Sequence, residues 1–158
     1  MKKDEAAAYA YAYAARLLAR REYCSAQIQQ KLLARDIDDA MITEVIADLK
    51  RDGYLNDQRF AELYLRSRLE KGETPWLAMK RAKQKGADDA SLQLAMDELT
   101  VDYDAEQSAR DLLAMRDPAG FRFEDERVWQ RQARFLQNKG FGTDIVLRVL
   151  KERTEDSR

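Results

Sequence analysis

The apolar residues of this chain fall at helical spacing. Ile42, Val45, Ile46 and Leu49 form an i, i+3, i+4, i+7 stripe, the mark of one buried helix face, and Leu92, Ala95, Met96 and Leu99 repeat it. The same pattern predicts helices near residues 4–21, 25–34, 39–51, 57–71, 75–85, 89–99, 104–115, 124–138 and 144–153. Glycine and proline, six and two in number, stand where helix punctuation belongs. Gly53, Gly72, Gly86 and Gly140 each follow a charged helix-forming run, and Pro75 follows Thr74 as a first helical residue follows its cap. The expected fold class is all-α.

The second stripe lies 50 residues after the first, and Asp38-Asp39-Ala40, a capping sequence, returns at the same offset as Asp88-Asp89-Ala90. A weaker third copy follows at an offset of 54. There Lys139-Gly140-Phe141 answers Lys85-Gly86-Ala87, and Val146, Val149 and Leu150 answer Leu92, Ala95 and Met96. The extra residues fit a turn around Asp117-Pro118-Ala119-Gly120. Nine helices thereby group into three tandem three-helix repeats, expected at residues 1–54, 55–101 and 102–153 with a short tail at 154–158. Stacking of such trios predicts an elongated, curved molecule.

Charge sharpens this picture by its position. The 158 residues are 45% hydrophobic and 36% charged, and 28 Lys and Arg against 29 Asp and Glu leave a net charge of -1. Global basicity therefore gives no argument for nucleic acid. Locally the signs alternate: residues 59–85 carry eight basic and three acidic side chains, 86–126 three basic and twelve acidic, and 127–153 seven basic and two acidic. At moderate salt such blocks act over about 8–10 Å, so a partner meets each one separately. The candidate partner-binding or DNA-binding residues are Arg59, Arg66, Arg68, Lys71, Lys80, Arg81, Lys83 and Lys85 in the first basic block and Arg131, Arg134 and Lys139 in the second. Arg66, Arg68 and Lys71 are separated from Lys80, Arg81, Lys83 and Lys85 by one short turn, which predicts a shared basic surface. Phe60 and Tyr64, i and i+4 on a helix with Leu63, are expected in the core. Trp76 is expected to pack on a neighbouring repeat, with exposure at a partner surface the alternative. Tyr9 and Tyr13 share one helical face, and Tyr11 points nearly opposite.

Several chemistries are disfavoured. The chain has no histidine, the commonest general base and metal ligand, and no phosphate-loop, dinucleotide, zinc-hydrolase or nucleophile-elbow motif. The acidic groups Asp102/Asp104/Glu106 and Glu124/Asp125/Glu126 lack the glycine-centred spacing of a calcium loop and suit helix N-termini, where carboxylates favour the dipole. No cofactor, metal or catalytic residue is expected. A single cysteine, Cys24, suits a reducing cytoplasm. Lys2 and Lys3 precede an Ala/Tyr-rich stretch, but Asp4 and Glu5 interrupt it, so a helix is expected rather than a signal peptide. No run approaches the ~18 apolar residues of a membrane span.

One stretch goes beyond composition: Gly53-Tyr54-Leu55-Asn56-Asp57-Gln58-Arg59-Phe60-Ala61, followed by Tyr64, Arg66, Arg68, Lys71-Gly72 and Pro75. It resembles the signature run of the RecX family. Ala19-Arg20-Arg21-Glu22-Tyr23-Cys24-Ser25 with Leu32 and Leu33 is similar to that family's first repeat, and Phe135-Leu136-Gln137-Asn138-Lys139-Gly140-Phe141 to its third, so the resemblance spans roughly residues 13–151. Asn56 stands where the family usually has Asp, Thr74 where it has Gly, and Arg81 where an acidic residue is common. The resemblance implies three tandem three-helix repeats and a non-enzymatic, monomeric modulator of the RecA recombinase in DNA recombination, repair and the SOS response. Such a protein binds RecA filaments on DNA and inhibits their growth, ATP hydrolysis and strand exchange. The alternative is a module that binds single- or double-stranded DNA directly and competes mainly for single strands.

Overall fold

The computed structural model describes residues 2–119 and 125–156. Among the described residues the regular structure is entirely helical: α1 (Lys3–Arg20), α2 (Ser25–Leu33), α3 (Asp39–Arg51), α4 (Asp57–Glu70), α5 (Pro75–Gln84), α6 (Asp89–Leu99), α7 (Ala105–Arg116), α8 (Glu126–Asn138) and α9 (Thr143–Asp156). Where helix ends are described, they lie within three residues of the sequence expectation. The expected first residue of α8, Glu124, and Gly120 of the expected turn lie outside the described residues, as do the last two residues of the tail. α9 runs on through Asp156.

Short polar side chains start these helices. Asp38 accepts from Met41 N–H at 2.8 Å, Asn56 from Arg59 N–H at 3.0 Å, Asp88 from Ser91 N–H at 2.9 Å and Asp104 from Gln107 N–H at 3.2 Å. Thr74 caps α5 through Leu77 N–H at 3.2 Å, with Pro75 as the first helical residue. Asn56 thus performs the capping that aspartate would. The backbone N–H of Ser91 holds the Asp88 carboxyl below its usual value.

The turns carry the repeat into three dimensions. The N–H groups of Ile37, Ala87 and Phe141 donate to the carbonyls of Leu32, Ala82 and Leu136, each five residues back, at 3.2, 3.1 and 3.2 Å. In each turn the preceding residue is left-handed: Asp36 (φ 61), Gly86 (φ 103) and Gly140 (φ 98). Glycine is required most firmly at Gly140, where a Cβ would press on Thr74 Oγ1 and come within 2.8 Å of Leu77 Cβ. The first turn uses an aspartate instead, a residue whose short polar side chain tolerates this conformation. The apolar stripes are buried as their spacing requires: Ile42, Val45 and Leu49 in α3, Leu92, Ala95 and Met96 in α6, Val146, Val149 and Leu150 in α9.

Packing divides the chain into two compact units, with cuts inside α4 and α5 and before the last residue of α6: Met1–Leu65 with Met79–Glu98, and Arg66–Ala78 with Leu99–Arg158. In the first, Ala10 and Ala14 of α1 have no exposed surface and let the helix approach α2 and α3 closely over Ile28, Leu32, Ile42, Val45 and Leu49. In the second, α9 packs on α7 and α8 around Leu113, Leu136, Val146, Val149 and Leu150.

The signature run is built into the first unit. Leu55, Phe60 and Ala61 are buried. Asp57 reaches the start of α2, where Oδ1 accepts from Ser25 N–H at 2.7 Å and Oδ2 from the Ser25 hydroxyl at 2.6 Å. Arg59 donates Nε to Glu22 at 2.6 Å and Nη2 to the carbonyl of Tyr54 at 3.2 Å. Phe60 and Tyr64 stack with centroids 5.7 Å apart, but Leu63 on the same helix is 45% exposed, so the expected core face is narrower than drawn. Tyr54 is also exposed, its ring set edge-on to Tyr11. Trp76 is 65% exposed and adopts the alternative to packing, because the buried face of α5 is formed by Ala78 and Ala82.

Candidate functional site

In the second unit the turn after α4 meets the turn after α8. Thr74 N–H donates to the carbonyl of Lys139 at 2.8 Å, and Lys139 Nζ donates to the carbonyl of Lys71 at 2.9 Å. Parts of the two basic blocks, far apart in sequence, therefore share one junction. Lys139 is half-buried, engaged with that carbonyl and 5.8 Å from the Phe135 ring centroid. Arg68 is also committed inward: its Nε and Nη2 grip Glu73 at 2.9 and 2.6 Å, and Glu73 is only 7% exposed. A buried carboxylate needs such a fork to offset its desolvation.

Arg66 and Lys71 are different. Both are exposed, and their side chains make no hydrogen bond or ion pair among the described residues. Arg131 and Arg134 are likewise exposed and unpaired, on an outward stripe of α8 that runs Arg127, Gln130, Arg131, Arg134, Gln137 and Asn138 at i, i+3, i+4, i+7, i+10 and i+11. The acidic residue of this helix, Glu126, sits in its first turn. Arg116 adds a guanidinium 4.2 Å over the Phe135 ring. Three arginines interleaved with amides form a surface suited to phosphate or carboxylate oxygens.

In the first unit, Lys85 lies at an open concavity of about 480 Å³ that it shares with Arg21, Lys31, Gln27, Gln30 and Gln84. No carboxylate lines that hollow, and the Arg21 guanidinium lies 4.3 Å over the Tyr23 ring. Lys83 forms a loose pair with Asp89 at 3.4 Å, both largely exposed. Lys80 is exposed and Arg81 half-buried on α5, and Arg59 is held by Glu22 as described. Arg66, Arg68 and Lys71 fall in one compact unit and Lys80, Arg81, Lys83 and Lys85 in the other.

Sequence reasoning did not single out Arg21, Lys31, Arg116 or Arg127. Arg127 was legible as part of the α8 periodicity, whereas Arg21, Lys31 and Lys85 converge only through the approach of α2 to the turn after α5. Cys24 is buried with Sγ 3.5 Å from the carbonyl of Lys85, and burial pushes its thiol above the usual value. Asp104 and Asp125 cap α7 and α8, as the helix-terminus reading of the acidic groups requires. Glu124 of the second group lies outside the described residues. Among the described residues no group of carboxylates or cysteine is arranged to hold a metal, and no helix is long and apolar enough to cross a membrane.

Residues 10–49 match the family model described as RecX, first three-helix domain, and residues 103–150 the one described as RecX, third three-helix domain. The regulatory protein RecX of Halorhodospira halophila is 36% identical over 143 residues, covering 90% of this chain and 87% of that protein. The regulatory protein RecX of Acinetobacter baylyi is 32% identical over 140 residues, covering 89% and 85%. The crystal structure of RecX from Lactobacillus salivarius superimposes with a TM-score of 0.75 at 23% identity, covering 95% of this chain and 97% of that one. With the first and third three-helix domains of the family matched and relatives similar over most of their length, this chain belongs to the RecX family of regulatory proteins.

Proposed function

We propose that this chain restrains the RecA recombinase: it binds RecA filaments on DNA and inhibits their growth, ATP hydrolysis and strand exchange, without a cofactor or chemistry of its own. The observation that carries the reading is the likeness to regulatory RecX proteins over 143 residues. The unpaired cations support it physically. Arg66 and Lys71 beside the α4 turn, and Arg131 and Arg134 on α8, are free to meet an acidic surface without first breaking an internal bond. In this reading the protein is a cytoplasmic monomer whose repeats occupy residues 1–54, 55–101 and 102–153.

The test is RecA's single-strand-dependent ATP hydrolysis while the protein is titrated from well below to above the RecA concentration, with binding to the same DNA measured alone. Inhibition at ratios far below one per RecA, before naked DNA is covered, is the expected result. The variant Arg66→Glu/Lys71→Glu/Arg131→Glu/Arg134→Glu should weaken inhibition roughly tenfold or more, the scale of several reversed charge contacts. Arg68 and Lys139 are kept, because they hold the fold. The arginine stripe of α8 favours one second reading, direct competition for single strands, in which hydrolysis falls only as the DNA is covered and the effect declines steeply with salt. No inhibition at any ratio would overturn both.

A further inference from the structure

A further cationic site, outside every residue assigned above, lies on the first helix. Tyr9, Tyr13, Arg16, Leu17 and Arg20 fall at i, i+4, i+7, i+8 and i+11 on one face of α1, and Arg35 enters from the turn after α2. Together these six residues line an open concavity of about 310 Å³.

Its chemistry differs from that of Arg51 and Arg59 in the same unit, which face the carboxylates of Asp48 and Glu22. Here three guanidinium groups converge and the lining holds no carboxylate. Arg16 and Arg20 are exposed, with no hydrogen bond or ion pair among the described residues. Arg35 is held in place by neutral aromatic groups: its guanidinium lies 4.4 Å over the Tyr13 ring, and Nη1 donates to the Tyr9 hydroxyl at 3.0 Å. The Tyr9 and Tyr13 rings are nearly parallel, 6° apart in plane with centroids at 6.3 Å, and Tyr9 is 36% exposed. The arrangement is a flat aromatic shelf with its orientation fixed by Arg35 and a rim of like charge. Like charges gathered without a counter-ion repel, so this rim is favoured only when an anion is supplied from outside.

We propose that this shelf binds single-stranded nucleic acid, with a base stacked at Tyr9 and the flanking phosphates held by Arg16, Arg20 and Arg35. The alternation of planar ring and anion along a single strand matches the alternation of tyrosine and arginine along the α1 face. A duplex has its bases stacked on one another and offers Tyr9 none. An acidic peptide satisfies the arginines but leaves the shelf unused. The site stands apart from the RecA reading, since neither its residues nor its ligand depend on a filament.

The experiment is fluorescence anisotropy of a labelled oligo(dT) 20-mer with the full chain over a range of salt, and competition by an oligoglutamate of equal charge. Arg16→Ala/Arg20→Ala is expected to weaken binding about tenfold near 100 mM salt and to reduce the slope of log affinity against log salt by about 1.4, the value for two phosphate contacts on a single strand. Tyr9→Ala should weaken binding about fivefold, the loss of one stacked base, while Tyr9→Phe, which keeps the ring, stays within about twofold of the parent. Oligoglutamate should compete poorly. Affinity and salt slope unchanged in the double arginine variant would overturn the proposal, as would equal competition by oligoglutamate. The RecA reading is tested by the α4 and α8 variants, so either can fail while the other stands.

Discussion

Replacing Asp57 by alanine removes the carboxylate that closes the N-terminus of α2 from another helix. Locally that terminus has a capping box, in which Gln27 Oε1 accepts from Cys24 N–H at 3.1 Å, but its first turn holds no acidic residue. Asp57 accepts from Ser25 N–H at 2.7 Å and from the Ser25 hydroxyl at 2.6 Å, with Lys50 Nζ at 3.4 Å. Hydrogen bonds to a charged partner contribute roughly 1.5–3 kcal/mol each. The Asp57 side chain is 21% exposed, so water recovers part of what the variant loses, and the half-exposed Lys50 pair adds little. The expected cost is about 2–3 kcal/mol, a large share of the ~5–15 kcal/mol that holds a typical domain folded. At roughly 2–4 °C per kcal/mol for a chain of this size, the melting temperature should fall by about 5–10 °C. Asp57→Asn, which keeps one acceptor, should lose roughly half as much. Urea denaturation gives the energy, and amide hydrogen exchange locates it in the first turn of α2. A loss below about 0.5 kcal/mol, the scale of an indifferent surface substitution, would refute the reasoning. So would faster exchange that spares α2.

Asp36→Gly should stabilise the protein by about 0.5–1 kcal/mol in thermal denaturation, since Asp36 holds the left-handed position that its counterparts fill with glycine; a destabilised variant would show that its side chain matters. Gly140→Ala should cost more than Gly53→Ala. Both positions have positive φ, but a Cβ at Gly140 meets Thr74 and Leu77 whereas one at Gly53 meets nothing within 4 Å, and equal losses would refute the crowding argument. The Tyr11 hydroxyl donates to Asp52 at 2.6 Å, which holds the Asp52 carboxyl below its usual value, with Arg51 assisting, and pushes Tyr11 up to about 12. The stability from this bond is full between the ordinary carboxylate and phenol ranges, falls away as pH drops through the lowered Asp52 value, and fades again as pH rises toward about 12. Tyr11→Phe should return Asp52 toward its usual value in an NMR titration and abolish the alkaline loss; an unmoved Asp52 would refute the assignment.

Helix positions were most legible in the sequence where a stripe and a cap coincide. Ile42, Val45 and Leu49 face inward, and Asp38 starts their helix through Met41 N–H. Trp76 and Leu63 were less legible, because spacing says which residues share a face but not how wide the covering surface is. α5 is buried on alanines, Ala78 and Ala82, and leaves its tryptophan outside. Asp36 could be found only by aligning the first repeat on Gly86. The basic residues were visible as charge, yet charge density does not distinguish a cation held by the fold from one left for a partner. Arg68 and Arg66 lie two residues apart on α4; one grips buried Glu73 and the other faces solvent. Arg35 reaches Tyr9 and Tyr13 only because α1 and α2 pack together, which no local window records.

The residues that reveal the family are thus largely residues that hold it together. In the signature run Leu55, Phe60 and Ala61 are core, Asn56 caps α4, Asp57 closes α2, and Arg59 ties Glu22 to the turn before α4. Under the proposed function, a substitution there should act only by loosening the unit, so its effect on inhibition of RecA should follow its effect on stability. The unpaired cations obey the opposite rule. Charge reversal at Arg131 or Arg134 leaves the α8 core contacts of Ala133 and Leu136 in place, and is expected to move binding and its salt dependence with little change in melting temperature. Plotting loss of inhibition against loss of stability for both sets separates the two roles: signature variants should fall on one line, and α8 variants well off it. If the α8 variants fell on that line too, their arginines would belong to the fold rather than to the partner.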